Sequence, residues 1–200
     1  MSGLNNPQKL AVEYSDGPLL VLAGAGSGKT RVIIEKIAHL IATGRHEAKH
    51  IAAITFTNKA AREMRERVGK RLKGDAGEGL TICTFHALGL RMLQIEHARL
   101  GLKRGFSIFD TEDSNAQLKD LLPPGSKPDV IDATKNLISR AKNAGLSPEQ
   151  ALEAARSTRE QEAALLYARY QARLSTFNAV DFDDLIRLPV QLLESDEEAV

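Results

Sequence analysis

The chain has 200 residues, of which 42% are hydrophobic and 26% are charged, a length and composition that suit one or two domains with a real core. No apolar run reaches the roughly 18 residues that a membrane-spanning helix needs, and the first residues lack the pattern of a signal peptide. Cys83 is the single cysteine, so an internal disulfide is excluded. We therefore expect a cytoplasmic protein with no membrane partner.

The charge is unevenly distributed along the chain. Residues 1–109 carry 17 Lys and Arg against 9 Asp and Glu, whereas residues 110–200 carry 10 against 17, and the net charge is +1. A basic part joined to an acidic part suggests two modules, of which the basic one is suited to meet a polyanion.

The first strong signal along the chain is a Gly-rich segment between two apolar stretches. Leu19 to Leu22 are predicted to form a buried strand, and Arg31 to Ile41 to form a helix, which is the setting of a phosphate-binding loop. The alternative is an ordinary Gly-rich turn, which the Gly-Lys-Thr ending disfavours. The candidate nucleotide-binding residues of this loop are Ala23, Gly24, Ala25, Gly26, Ser27, Gly28, Lys29 and Thr30.

The chemistry of these residue types explains the assignment. Glycines allow a tight turn in which consecutive backbone N–H groups face phosphate oxygens, and the following helix adds the positive end of its dipole. Lys29 is expected to reach the β- and γ-phosphates, and the Thr30 hydroxyl to ligate Mg²⁺, so these two are the candidate catalytic residues. Ala23 stands where glycine is usual, which is a mild change.

Strands and helices continue to alternate after the loop. Residues 51–56 and 80–85 are predicted strands, and a helix capped by Asn58 is predicted to run to about Leu72. Short apolar strands separated by helices predict a parallel sheet covered on both faces, with ligands beyond the carboxyl ends of its strands. The residues expected at that edge beside the loop are Phe56, Thr57, Asn58, Thr84, Phe85 and His86.

Phe56 has two open interpretations. An isolated phenylalanine at a strand end is normally a core residue, but Phe85 repeats the arrangement at the next strand end, which favours stacking on nucleic-acid bases. Asn58 stands where backbone N–H groups are available to a phosphate. The many basic residues of the helix after Asn58 are equally well explained as a solvated face. A metal role for His86 has little support.

Helical patterns dominate residues 87–178. Helices are predicted at 88–100, 113–122, 130–144 and 148–177, with a weak strand signal at 106–109. This region is interpreted as a helical module inserted into the α/β domain. Asp181, Asp183 and Asp184 follow it. We interpret these acids as the start of a helix, where negative charge is favourable, rather than as a Mg²⁺ site or a two-metal nuclease site.

Several segments together resemble one protein family. They are Leu4-Asn5-Asn6-Pro7-Gln8, residues 22–32, residues 54–61 with Glu63-Met64, Thr84-Phe85-His86, and residues 181–185. In combination they resemble the amino-terminal part of superfamily 1 DNA helicases of the Rep/UvrD/PcrA group. The resemblance implies an α/β, RecA-like P-loop NTPase domain (1A, residues 1–86), an inserted all-helical subdomain (1B, residues 87–178) and a return to domain 1A at residues 179–200.

The same resemblance implies roles for further residues and ligands. Gln8 would hydrogen-bond the adenine edge of ATP–Mg²⁺, with Arg31 and Arg67 near the nucleotide. Phe56, Thr57, Asn58, Thr84, Phe85 and His86 would border a single-stranded DNA track. It implies a 3′→5′ helicase acting on single-stranded DNA and on junctions between single and double strands, with replication or repair proteins as partners.

Two alternatives stay open. Family members are several hundred residues longer, so we expect this chain to be a fragment that binds nucleotide and DNA without turnover. A nucleotide kinase would also carry the Gly-rich loop, but no lid or acceptor-site signature accompanies it here.

Overall fold

The computed structural model of the chain describes residues 3–72 and 74–195. Over these residues the protein is a mixed α/β structure in which short parallel strands pair in two two-stranded sheets. The chain divides between Phe85 and His86 into two compact units. None of the helices in the described ranges is both long and apolar enough to cross a membrane.

From α2 onward the first unit alternates helices and strands as the sequence predicts. Its main elements are α1 (Asn6–Glu13), α2 (Lys29–Ala42), β1 (Ala52–Thr55), α3 (Asn58–Arg71) and β2 (Thr81–Thr84), with 3₁₀ turns at Ala48–His50 and Gly74–Gly77. β1 and β2 are parallel, and their register pairs Ala52 with Thr81 and Thr55 with Thr84. Their core is formed with α2 and α3 by Ile34, Ile37, Ala53, Met64, Val68 and Ile82.

Local hydrogen bonds explain where two of these helices begin. Asn5 and Gln8 form a reciprocal capping box at α1, where each side chain bonds the backbone N–H of the other residue. At α3 the cap is Thr57, whose hydroxyl accepts from the Ala60 N–H at 3.1 Å. The predicted cap, Asn58, is instead the first residue inside the helix.

The predicted buried strand at residues 19–22 is wrong. This run has no strand conformation and pairs with no strand within the described ranges. Leu20 and Leu22 are 81% and 85% exposed. The physical reason is that an apolar run becomes a central strand only when neighbouring strands accept its backbone hydrogen bonds. Within the described ranges β1 and β2 pair only with each other, and neither forms a ladder with this run.

The second unit is mainly helical. It contains α4 (Phe85–Glu96), β3 (Ser107–Phe109), α5 (Thr111–Leu121), α6 (Pro128–Asn143), α7 (Pro148–Ala154), α8 (Thr158–Thr176), β4 (Ala179–Asp181) and α9 (Asp184–Ser195), with a 3₁₀ turn at His97–Leu100. Phe85, the first residue of α4, still belongs to the first unit. β3 and β4 are parallel, with Ser107 opposite Ala179. β3 confirms the weak strand signal at 106–109, so residues 87–178 are not entirely helical. The strand β4 was not predicted from the sequence.

One predicted helix of this unit is in fact two. The expected helix at 148–177 is interrupted at Ala155, which is extended with φ −65° and ψ 129°. Ser157 then caps α8 by accepting from the Glu160 N–H. The core of the unit lies mainly against α8 and comprises Leu118, Leu121, Ile138, Tyr167, Tyr170, Leu174 and Ala179.

Two acids of the run at residues 181–184, Asp181 and Asp184, belong to a buried ionic cluster. The Lys142 ammonium, fully buried, bonds Asp181 Oδ2 at 2.7 Å and Asp184 Oδ2 at 3.0 Å. Arg187 bonds Asp184 through the other carboxylate oxygen at 3.1 Å. Asp184 starts α9, which confirms the helix-start interpretation for that residue. Asp181 instead ends β4.

The two carboxylates respond differently to this environment. Burial opposes the charge of Asp181, but the Lys142 ammonium outweighs burial and holds the pKa of Asp181 below its ordinary value. Burial raises the pKa of Asp184, despite the same ammonium. Both carboxylates are bonded by protein cations, so the cluster links α6, β4 and α9.

Candidate nucleotide and nucleic-acid site

The Gly-rich loop lies on the surface of the first unit, immediately before α2. Gly26 and Gly28 have positive φ angles of 74° and 85°, which explains why glycine is needed there. Lys29 is the first residue of α2, two residues earlier than predicted. The first helical hydrogen bond joins the Val32 N–H to the Gly28 carbonyl. The amides before it point out of the helix end, where an anion is favoured.

Lys29 folds back over the loop. Its ammonium donates to the carbonyl oxygens of Ala23 at 2.8 Å and Gly24 at 2.7 Å. The Ser27 hydroxyl donates to the same Gly24 carbonyl at 2.7 Å, which closes the loop. Lys29 is exposed and Thr30 follows it on the first turn of α2. The loop therefore presents an ammonium, a hydroxyl and the N-terminus of a helix on one surface, a donor set that fits the phosphates of a nucleotide and its Mg²⁺.

Gln8 lies directly against this loop. Its amide nitrogen donates to the Ser27 carbonyl at 3.0 Å, while its amide oxygen accepts from the Asn5 N–H. A Cβ atom at Gly28 would approach the Gln8 amide nitrogen to 3.1 Å. The structure thus places Gln8 beside the phosphate loop, where its side-chain amide is held by hydrogen bonds to Ser27 and Asn5.

The two predicted arginines are found in different settings. Arg31, on the first turn of α2, lies against Gly3, where an added Cβ would come within 2.7 Å of the guanidinium. Arg67 pairs with Glu63 one turn earlier on α3. The contact of either arginine with a nucleotide stays a prediction.

Phe56 and Phe85 meet at the carboxyl ends of β1 and β2. Their ring centroids are 5.6 Å apart and the rings are tilted by 44°. Phe56 is 87% exposed and Phe85 is 45% exposed. The core interpretation of Phe56 is therefore wrong, since a core phenylalanine would be buried. The pair instead forms an exposed aromatic surface of the kind on which bases stack.

The other residues predicted at this edge differ in accessibility. Thr57 and Asn58 are exposed beside Phe56, and Thr57 is engaged as the α3 cap. Thr84 is buried at the end of β2. His86 lies in the second unit, where its ring packs 5.9 Å from the ring of Phe182. The structure therefore assembles Phe56, Thr57, Asn58 and Phe85 on one exposed edge of the first unit.

Part of the basic character of α3 is explained by contacts within the protein. Arg65 donates to the Ile82 carbonyl at 2.7 Å, which ties α3 to β2. Arg71 makes a bidentate pair with Glu35 on α2 at 3.1–3.2 Å. Hydrogen bonding from Arg71 holds the pKa of Glu35 below its ordinary value. These two arginines join secondary-structure elements, which agrees with the interpretation of the helix as a solvated and paired face.

Sequence reasoning missed Lys36, on α2 two turns after Lys29. Its ammonium donates to the carbonyl oxygens of Ala11 at 3.0 Å and of Tyr14, at the end of α1. Burial lowers the pKa of Lys36. No local pattern marks this lysine, because its partners are backbone atoms more than 20 residues away.

Comparisons with known proteins agree with the resemblance in the sequence. The family described as the UvrD/REP helicase N-terminal domain matches residues 4–200. The chain is 50% identical over 197 residues to the ATP-dependent DNA helicase Rep of Escherichia coli (strain K12), which covers 98% of this chain and 29% of that protein. It is 42% identical over 201 residues to the ATP-dependent DNA helicase PcrA of Leuconostoc citreum, covering 97% of this chain and 26% of that protein.

The match spans almost the whole chain but only part of each relative. The chain covers under a third of the length of the curated relatives that it matches. Sequence identity of this extent, together with a family match over nearly every residue, establishes the relationship. The chain belongs to the UvrD/REP helicase family, and its sequence corresponds to the N-terminal domain of that family.

Proposed function

We propose that this chain is the N-terminal, ATP- and single-stranded-DNA-binding part of an ATP-dependent 3′→5′ DNA helicase. Its family and the names of its relatives support this proposal, since both Rep and PcrA are ATP-dependent DNA helicases. In this proposal residues 1–86 and 179–200 belong to a RecA-like domain 1A, and residues 87–178 form an inserted helical subdomain 1B. Residues 1–2, 73 and 196–200 lie outside the described ranges. The whole protein would be cytoplasmic and act in DNA replication or repair.

The proposed nucleotide site is the Gly-rich loop. Lys29 would leave the carbonyls of Ala23 and Gly24 and bond the β- and γ-phosphates, with the amides at the start of α2 facing the same phosphates. The Thr30 hydroxyl would hold Mg²⁺, which neutralises phosphate charge when bound. Gln8, already at the loop, is placed to meet the base of a nucleotide whose phosphates lie there.

The exposure of Phe56 is the observation that carries the DNA-binding part of the proposal. Leaving a phenylalanine 87% exposed forgoes the stabilisation of about 1.5–3 kcal/mol that its burial would provide. The ring is supported by Phe85 at 5.6 Å and stands at the strand edge beside Thr57 and Asn58. Base stacking on such a ring contributes about 1–3 kcal/mol per base.

The experiment compares Phe56→Ala with the unchanged chain in binding to a fluorescent single-stranded oligothymidine at low salt. We expect affinity to fall by roughly 5- to 150-fold, which corresponds to the loss of one stacked base. Because phosphate contacts supply the rest, binding should also weaken steeply as salt rises. Phe177→Ala is the matched control, since Phe177 is a half-exposed phenylalanine of the second unit.

The melting temperature of Phe56→Ala checks that the ring lies outside the core. If Phe56 is an exposed ring, Phe56→Ala should leave the melting temperature unchanged. Truncation of a core ring would instead lower the folding stability by about 3–5 kcal/mol. Unchanged DNA affinity per folded molecule would remove Phe56 from the proposed track.

A further inference from the structure

We propose that Lys36 is a positioning residue for base recognition: it holds the end of α1 so that Gln8 stays at the phosphate loop, and it thereby sets the preference for adenine nucleotides. This inference rests on the proposed function, because it assumes that the loop binds a nucleotide and that Gln8 meets its base.

Helix α1 is too short to be stable by itself. It has eight residues, and isolated helices shorter than about 12 residues are marginal in water. Val12 is the buried residue of the helix, packed with Leu4 and Val32. Ala11 packs against the same cluster, so the apolar contacts of α1 itself lie in its C-terminal half. Polar contacts at its two ends add to these in setting its orientation.

Those polar contacts exist at both ends. At the start of α1, Gln8 bonds the Ser27 carbonyl of the loop. At the other end, Lys36 bonds the carbonyls of Ala11 and Tyr14. Terminal helical carbonyls lack intrahelical partners and carry the negative end of the dipole, so an ammonium is the favoured group there.

The lysine is not an ordinary surface residue. Its side chain is partly buried, and burial lowers its pKa. A second basic side chain reinforces the same connection, since Arg45 bonds Ser15 and Asp16 just after α1. The segment that carries Gln8 is thus tied to α2 and to the turn that follows it.

Recognition of the base and binding of the triphosphate group depend on different parts of the site. The phosphate-binding groups lie on the loop and on the first turn of α2, and α1 meets the loop through the bond from Gln8 to the Ser27 carbonyl. Gln8 is the group of the site that α1 supplies. Loss of the Lys36 contact should therefore weaken recognition of the base and leave the binding of the triphosphate group intact.

The experiment uses the unchanged chain, Lys36→Met and Lys36→Arg, titrated calorimetrically with Mg²⁺–ATP and with Mg²⁺–tripolyphosphate, which has no base. We expect Lys36→Met to lower ATP affinity roughly three- to tenfold, the effect of losing one or two hydrogen bonds, with tripolyphosphate affinity unchanged within twofold. Lys36→Arg retains a cation and should keep most of the preference for ATP over tripolyphosphate. Lys59→Met, an exposed lysine at the start of α3, is the control.

Hydrogen exchange of the amides of residues 6–13 provides a readout that needs no nucleotide. Lys36→Met should speed their exchange selectively, whereas unchanged exchange would overturn the inference. Equal losses of ATP and tripolyphosphate affinity would also overturn it, since they would indicate a general structural defect. Failure of the unchanged chain to bind either ligand would contradict the proposed function instead, and the exchange result would still decide the role of Lys36.

Discussion

Replacing Lys142 by methionine removes the ammonium that two buried carboxylates share. The side chains of Lys142 and Asp184 are fully buried, and the Asp181 side chain is 10% exposed. Methionine nearly preserves the length of the side chain, so little packing is lost. Asp181 loses its cation entirely, while Asp184 retains Arg187 at 3.1 Å. Removing one partner of a buried ion pair lowers the folding stability by about 3–5 kcal/mol, because the other partner is left as an uncompensated buried charge.

This cost is large compared with the 5–15 kcal/mol stability that is typical of a domain. We expect the melting temperature to fall by about 10 °C or more, and the urea midpoint to fall with it. Near-ultraviolet circular dichroism is a suitable probe, since Tyr167 and Tyr170 pack within 6 Å of the Lys142 ammonium. Lys119→Met, at an exposed position of α5, should change stability by no more than about 0.5 kcal/mol.

The pH dependence of the Lys142→Met variant tests the electrostatic origin of the loss. In the unchanged protein Lys142 holds the pKa of Asp181 below its ordinary value. Without the ammonium, burial should raise that pKa above the value in the unfolded chain. The penalty is then present at neutral pH and shrinks as pH falls and Asp181 takes up a proton. Adding Asp181→Asn should likewise restore part of the stability. A loss below about 1 kcal/mol, constant with pH, would refute the reasoning.

Two further predictions concern the second unit and α3. Burial raises the pKa of Tyr167 to about 12 and that of Tyr170 further. Stability should hold below pH ~10 and fall as pH rises from there through about 12, and the phenolate absorbance of these two buried tyrosines should appear in that upper range rather than near pH 10. Gly89→Ala places a Cβ 1.8 Å from the Leu185 carbonyl and should cost about 1–3 kcal/mol or more in urea unfolding. The matched Gly69→Ala, with open space around it, should instead stabilise by about 0.5–1 kcal/mol.

The phosphate loop could be predicted from sequence because its determinants are local. Two glycines at positive φ, followed by Lys29 and Thr30 at a helix start, are contiguous residues. The same holds for β1 and β2, whose apolar runs have each other as parallel partners. The prediction failed for residues 19–22, because a strand is a property of a pair and no described segment pairs with that run.

Three other features depend on contacts that are distant in the sequence. β4 is short and ends in Asp181, an unpromising strand until Lys142, 39 residues earlier, compensates the carboxylate. The lysine Lys36 acts on backbone carbonyls of α1, which have no sequence signature. The exposure of Phe56 could not be decided from composition, since a core ring and a stacking platform need the same residue type.

The binding of ATP to the phosphate loop is the central claim, and calorimetric titration of Mg²⁺–ATP into the unchanged chain and into Lys29→Ala tests it most directly. Lys29 is exposed, and its ammonium bonds two carbonyls of its own loop, so the variant should keep its melting temperature. Charge-assisted bonds to phosphate contribute about 1.5–3 kcal/mol each, partly offset by the two carbonyl bonds that Lys29 must release. We predict that the affinity for ATP falls by roughly tenfold or more. Equal affinity for ATP in the two proteins would contradict the account.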